Sequence, residues 1–468
     1  MKKCTTIILI FSLLCTIFLF SGCSEEPMDY SAKVQEKTTA YRTDLEDSAK
    51  TLNSTDKIKE YLCNWAKSKG ISYTTDEFDN VIMDIDSSKS YKAAAPTVIL
   101  CPYDAKQFNN YIDPMSVALY LAKNNEHTGE LTVIFTSEKG HDFSGIKGLS
   151  KKYFPDDANV FSLSGGKKNM WSLNTGGRSS YTFTNKVAFT TPVRNKAYKI
   201  SIKGLPGGIP DSKISSYPNP IKELGDLLAY FKTNALIYEL AKISGGSSGN
   251  LYPKSSSMTV VIDENDSLKF ENKLNDTIER FNDDFLEDYP DATFTFTETP
   301  LPEKVLSEEY TNEFISLLYT LLDGVYYTDE EDNLISITSI GSIKNTKNSY
   351  SISAVGNSLT ELNMKLIDTD YETICGLSDV DYQKTDWQKV WNSNCDSDFA
   401  KELIAAFDEY SGSDLDFKDS VPATNASYIF RKNEQCNIVN ITLNEEKIER
   451  YTGAILIFMI NQAHEETK

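Results

Sequence analysis

The sequence predicts an α/β fold, a mixed central sheet with flanking helices, into which a separate α+β domain is inserted. Three observations predict it. Two short apolar runs, 97–101 and 131–135, are rich in Val, Ile, Leu and Phe and have the length of strands buried on both faces. Between them, 114–124 carries Met115, Ala118, Leu119 and Leu121 at helical spacing, which completes a β-α-β unit. From about residue 180 the pattern changes to long alternating strands separated by helices, and it returns to a mixed pattern over 384–468.

The 468 residues are enough for two to three domains, and 40% hydrophobic content can fill large cores. A net charge of −21 repels phosphate backbones and anionic lipid, so nucleic acid is excluded as a partner. The chain opens with Met1-Lys2-Lys3, an apolar stretch from Thr5 to Phe20, and Ser21-Gly22-Cys23. A basic n-region, an apolar run too short to span a bilayer and small residues directly before a cysteine are the marks of a lipoprotein signal. Residues 1–22 are therefore expected to be removed and Cys23 lipidated. The polar residues 23–35 then form a tether to the extracytoplasmic face of the cell membrane.

The next elements follow in order. Residues 36–68 read as two helices broken near Asn53-Ser54-Thr55-Asp56, the second capped by Ser54 or Thr55 and ended by Gly70. Residues 72–86 alternate weakly, as an edge strand pair does. The β-α-β unit follows, then a short helix after Gly145 and strands at 159–164 and 170–174. In the middle section strands are expected at 198–202, 257–262, 292–297, 335–343 and 350–355. Helices are expected at 219–243, 266–287, 307–322 and 358–370. The last section gives a helix at 399–410, strands at 427–430 and 437–441, and a final helix at 445–463 whose inward face is Ile448, Tyr451, Ala454, Ile455, Phe458 and Met459. Beyond the lipid site, Cys63, Cys101, Cys375, Cys395 and Cys436 match no zinc spacing. Cys63 and Cys101 read as buried thiols, and the expected compartment permits a Cys375–Cys395 bridge.

Acidic residues follow the apolar runs, at the strand ends where open α/β sheets place ligands. With the motifs downstream, this arrangement resembles the di-zinc aminoacyl-histidine dipeptidases (Xaa-His dipeptidases). In that family the first strand ends in His-x-Asp, and a second Asp, bridging two zinc ions, opens the next helix. The following strand ends in Glu-Glu before a Thr-Gly-x-x-Gly-like turn. Here the first motif reads Pro102-Tyr103-Asp104, and the bridging acid stands as Asp113, before Pro114. Counted back from Gly145, the Glu-Glu pair falls on Lys139-Gly140. Ser164 stands where the family has a metal-binding Asp, and Val421-Pro422-Ala423-Thr424 where it has a zinc-binding His. Gly204, Gly207 and Gly208 match a Gly-x-x-Gly-Gly-His motif of the lid, with Ile209 replacing the substrate-reaching His. Residues 245–253 match the lid's Gly-Gly-x-x-x-Asn-x-x-Pro.

The resemblance implies a peptidase-like domain made of 36–180 and 384–468 with a lid-like domain, 181–383, between. It places a ligand cleft beside Gly207, Gly208 and Ile209 and a homodimer interface in the lid, and it implies a cis peptide bond at Asp113–Pro114. It also frames the function. Pro102 and Pro422 cannot ligate, and a lysine at the base position opposes cations, so the expectation is a surface protein without peptidase activity and without a metal cofactor. That protein binds a peptide or protein partner in the old cleft or serves as a structural subunit. The alternative is an active dipeptidase with a rebuilt zinc site drawing on Asp104, Asp113, Glu138 and His141. Three of these residues also have a plain structural role open to them. Asp113 can cap a helix with Pro114 at its first position, Asp104 can hydrogen-bond its own turn, and His141 can sit in a polar loop that caps the following short helix through Asp142 or Ser144. His127 and His464 read as solvated.

Overall fold

The computed structural model describes residues 30–87, 94–125, 128–210, 218–346, 348–378 and 380–465. Cys23 and His127 lie outside them. The chain opens with helices α1 (Tyr30–Ser48) and α2 (Thr55–Lys69) and a hairpin of β1 (Ser72–Thr75) and β2 (Val81–Ile85). There follow β3 (Thr97–Tyr103), α3 (Phe108–Lys123), β4 (Leu131–Ser137), α4 (Ser144–Gly148), β5 (Asn159–Gly165), β6 (Met170–Ser172) and β7 (Asn174–Thr175). The middle section begins with β8 (Gly177–Lys186), β9 (Phe189–Thr190), β10 (Lys196–Lys203), α5 (Pro220–Thr233), β11 (Tyr238–Gly245), β12 (Ser256–Ile262) and α6 (Ser267–Phe285). It continues through β13 (Thr293–Thr299), β14 (Val305–Leu306), α7 (Glu308–Thr320), β15 (Gly324–Thr328), β16 (Leu334–Asn345), β17 (Ser349–Ser358), α8 (Glu361–Ser378) and β18 (Asp381–Gln388). The chain ends with β19 (Trp391–Asn392), α9 (Asp398–Ser411), α10 (Asn425–Lys432), β20 (Asn437–Leu443) and α11 (Ile448–Glu465).

Seven strands form the first sheet in the order β1-β2-β4-β3-β5-β20-β6. Its centre, β4-β3-β5-β20, is parallel, with β2 and β6 antiparallel on either side. Alternate residues of the central strands enter different cores. Ile99, Cys101, Val133 and Phe135 pack with α1, α2, α3, α9 and α11, whereas Val98, Leu100, Ile134 and Val160 pack with α4 and α10. Burial on both faces explains why these strands read as continuous apolar runs. The second sheet has nine strands, ordered β13-β10-β12-β11-β16-β17-β8-β18 with β15 beside β16, and its pairs are antiparallel. Helices α5 to α8 cover it over a separate core that includes Leu224, Leu228, Phe314 and Ile367.

Several expectations are corrected. Residues 30–35, read as tether, are the first turns of α1. Helix α3 begins at Phe108, so Pro114 lies inside it and Asp113 caps nothing. Among the described residues no peptide bond is cis, so Asp113–Pro114 is trans. The helix expected at 219–243 stops at Thr233 because Ala235 turns with φ +52°, and 238–245 is the strand β11. Ser427–Phe430, rich in strand-forming residues, is helical in α10, where the Thr424 side chain accepts from Ala426 N. Cys375 and Cys395 are both free thiols. The capping of α2 by Ser54 and Gly70 is as the sequence indicates.

Candidate functional site

The parallel strands place their C-terminal ends on one edge of the sheet, and the chain passes from β3 to β4 on one side and then from β4 back to β5 on the other side of β3. A crevice opens at such a reversal. Here it is a cleft of about 740 Å³ lined from below by Pro102 of β3, Glu138 after β4, Ser164 and Gly165 of β5 and Thr442 of β20. Tyr111 of α3 and the loop 417–425 complete the floor and side. Ile209, the turn 332–335 and Leu359 face them from the second sheet.

Pro102 is tolerated in a central strand for a local reason. The Tyr103 carbonyl accepts from Glu138 N at 2.8 Å on the β4 side. One residue back, Pro102 turns its nitrogen towards β5, where pairing ends at Leu100–Ser162. The missing donor therefore breaks no ladder bond.

Glu138 is 1% exposed, and all its side-chain contacts are long. Tyr111 Oη donates to its Oε2 at 3.3 Å, and Asn425 Nδ2 to its Oε1 at 3.5 Å. His141 Nδ1 lies 3.5 Å from Oε2 without a hydrogen bond. The His141 backbone sits at φ +59°, an uncommon conformation for a residue with a side chain, and several groups hold it there. Arg178 Nη1, itself buried, donates to the His141 carbonyl at 2.7 Å, and the rings of His141 and Phe143 pack at 4.5 Å. Asp104 accepts from its own turn at Lys106 N, 2.8 Å, and from Gly140 N in the turn after β4. Burial pushes the Asp104 carboxyl up, and these two N–H groups pull it down. Asp104 is thus a brace for the turn that carries His141. Asp142 accepts from Lys139 N and Ser144 N, each at 3.0 Å, closing the same turn.

The structure separates the three acids and one histidine of the expected rebuilt site. Glu138 and His141 come together in the cleft, with Asp104 behind them. Asp113 does not line the cleft, because it forms an ion pair with Arg42 at 2.8 Å on the other side of α3. Tyr111 and Asp113 are two residues apart, about 200° around a helix, so only one of them can face the crevice. Lys139, placed at the base position by counting from Gly145, is exposed, and the buried acid at this strand end is Glu138. Ile209 lines the cleft, and Gly207 and Gly208 support it at φ +61° and +124°. Gly208 pairs with Tyr252 through two backbone bonds. Tyr111 and Asn425 were missed from the sequence. The helical spacing Tyr111–Met115–Ala118 was a signal for the first, whereas Asn425 offered none beyond its place after Thr424.

A catalytic zinc needs about three protein ligands. Among the described residues no group of three or more His, Cys, Asp or Glu side chains is placed to hold a metal ion. Glu138 and His141 alone do not supply the donors of a zinc pair. Nor, among the described residues, is any helix long and apolar enough to cross a membrane.

No family model matches the chain, and no curated relative does. Solved structures do. The aminoacylhistidine dipeptidase of Vibrio alginolyticus matches with TM-score 0.59 and 16% identity, over 87% of this chain and 92% of that one. Human carnosine dipeptidase 1 gives TM-score 0.49 and 10% identity over 94% and 100%. The di-peptidase Dug1p of Saccharomyces cerevisiae gives 0.47 and 11% over 93% and 98%. The first of these likenesses shows that the chain has a dipeptidase-type fold.

Proposed function

We propose that this dipeptidase-fold chain is a lipid-anchored surface protein whose cleft binds a peptide or protein partner without hydrolysing it. The observation that carries the reading is the contrast within one crevice. The cleft is open and built at the fold's ligand-binding edge, yet Pro102, Ser164 and Pro422 line it where the family resemblance calls for metal ligands. An open cleft with a buried acid also weighs against a purely structural subunit. Cys23 supplies the membrane attachment in this reading.

A second reading, a hydrolase with a rebuilt single-metal site, draws on the Glu138–His141 approach of 3.5 Å. Elemental analysis of the dialysed protein, with an Xaa-His and general dipeptide assay in added zinc, cobalt or manganese, separates the two. We expect substoichiometric metal and no turnover. About one metal per chain, with turnover abolished by His141→Ala, would establish the hydrolase instead.

A further inference from the structure

Three acceptor groups meet on the cleft floor with too few donors. Glu138 keeps a buried carboxylate on contacts of 3.3–3.5 Å. Asn425 is 4% exposed and spends its amide N–H on Glu138, which leaves Oδ1 without a partner among the described residues. His141 is 9% exposed, and its Nδ1 has none either. In its neutral form with the proton on Nε2, His141 presents Nδ1 as a third acceptor. Buried polar atoms normally find partners, so three acceptors gathered at one end of an open cleft mark the place of a missing donor. That donor must carry positive charge to suit the carboxylate.

We propose that the floor of the cleft is a seat for a primary ammonium group, held by Glu138, Asn425 Oδ1 and His141 Nδ1. An ammonium has three N–H donors and no acceptor, which matches in number the three acceptor groups grouped around the Glu138 carboxylate. A flat guanidinium offers its donors in a planar fork that suits the two oxygens of one carboxylate rather than three separate acceptor groups. Zinc would find one carboxylate, one imidazole and an amide oxygen, a donor set short of its usual ligands. The ammonium belongs to a peptide amino terminus or to a lysine side chain, two sources with one chemistry. This inference rests on the reading that the cleft binds a peptide.

The test uses the full mature chain, dialysed against chelator, and three random tripeptide mixtures in native mass spectrometry. One mixture has free amino termini and no lysine, one is N-acetylated with lysine, and one is N-acetylated without lysine. Retention of either amine-bearing mixture, none of the third, and a loss of about tenfold or more in Glu138→Gln are expected. The mixture retained identifies the source. Thermal melting confirms that the variant is folded, and Asn425→Leu serves as a second variant with the same expected loss. Equal retention of all three mixtures would overturn the ammonium seat and leave peptide binding standing. Retention that appears only on adding zinc would replace the ammonium with a metal. Retention of none would overturn both the seat and the peptide-binding reading.

Discussion

Arg42 Nε donates to Asp113 Oδ1 at 2.8 Å, and the same guanidinium reaches Glu445 Oε2 at 2.6 Å. One residue of α1 thus ties α3 to the turn before α11 and holds Asp113 away from the cleft. Burial pushes the Asp113 carboxyl up, while the Arg42 hydrogen bond and charge pull it down. Arg42→Ala is expected to cost about 1–2 kcal/mol at neutral pH, less than a fully buried pair because Arg42 is partly exposed. Removing Arg42 raises the Asp113 carboxyl further. A raised acid loses stability as pH rises through its folded value, so the cost should be larger at pH 8 than at pH 4. Denaturant melts of Arg42→Ala at the two pH values check this, and equal costs would contradict it.

Gly165 ends β5 against α3. A Cβ there would come within 1.6 Å of the Asn110 carbonyl oxygen, which is backbone and cannot swing aside. Asn110 is four residues before Pro114, whose ring offers that carbonyl no N–H. We expect Gly165→Ala to displace the start of α3 and to cost about 3 kcal/mol. A melting temperature within a degree or so of the parent would show that the two elements yield more easily than their contact suggests.

These two contacts also show what was legible in the sequence. The β-α-β unit, the hairpin and the capped second helix could be read because apolar period, turn residues and caps agree there. Helix α3 starts at Phe108 although Pro114 reads as a first-turn proline, and it turns Asp113, which the family resemblance put at the metal site, to Arg42 and Tyr111 to the cleft. Ser427–Phe430 looked like a strand from residue type, but Thr424 caps a helix and Tyr428 and Ile429 pack on the sheet. The neighbours of Glu138 were hidden for another reason. Asn425 lies 287 residues further along the chain, and only the parallel pairing of β20 with β5 brings its segment to the same edge.

Glu223, on α5, is pushed up to about 7 by burial first and then by the charges of Asp226, Asp323 and Asp284. Its folded value lies above its unfolded one, so the folded state holds the proton longer. Its contribution to stability is fully present below the unfolded value and is lost as pH rises through about 7. Glu223→Gln, which stays neutral, should gain on the parent by about 1–2 kcal/mol between pH 4 and pH 8. Urea melts across that range test it, and a difference independent of pH would remove Glu223 as the cause.

Membrane attachment is expected to depend on Cys23. Cys23→Ser should leave the precursor unprocessed or release the chain from the membrane fraction. The readout is cell fractionation with metabolic labelling by a fatty-acid analogue. Unchanged labelling and retention would rule out Cys23 as the anchor.

Glu138 allows a function–stability contrast to be measured. A structural buried acid is fixed by short, charge-assisted hydrogen bonds, and its loss destabilises. The Glu138 side chain is engaged through long contacts to Tyr111 and Asn425, with His141 Nδ1 at 3.5 Å, and hydrogen bonds of that length contribute little to the fold. Gln has the same shape and accepts from Tyr111 without the charge. We therefore expect Glu138→Gln to be neutral or to stabilise the ligand-free protein, by up to about 1 kcal/mol, while weakening ligand capture. Tyr111→Phe takes away one of the few donors the carboxylate has and should destabilise by about 1 kcal/mol in the parent. In the Glu138→Gln background the same change should cost less, since a neutral amide needs that donor less. A thermal double-mutant cycle over the two positions gives the coupling directly. If Glu138→Gln alone lowers stability by 2 kcal/mol or more, a roughly structural magnitude, Glu138 is an architectural acid and the cleft floor is not a ligand seat.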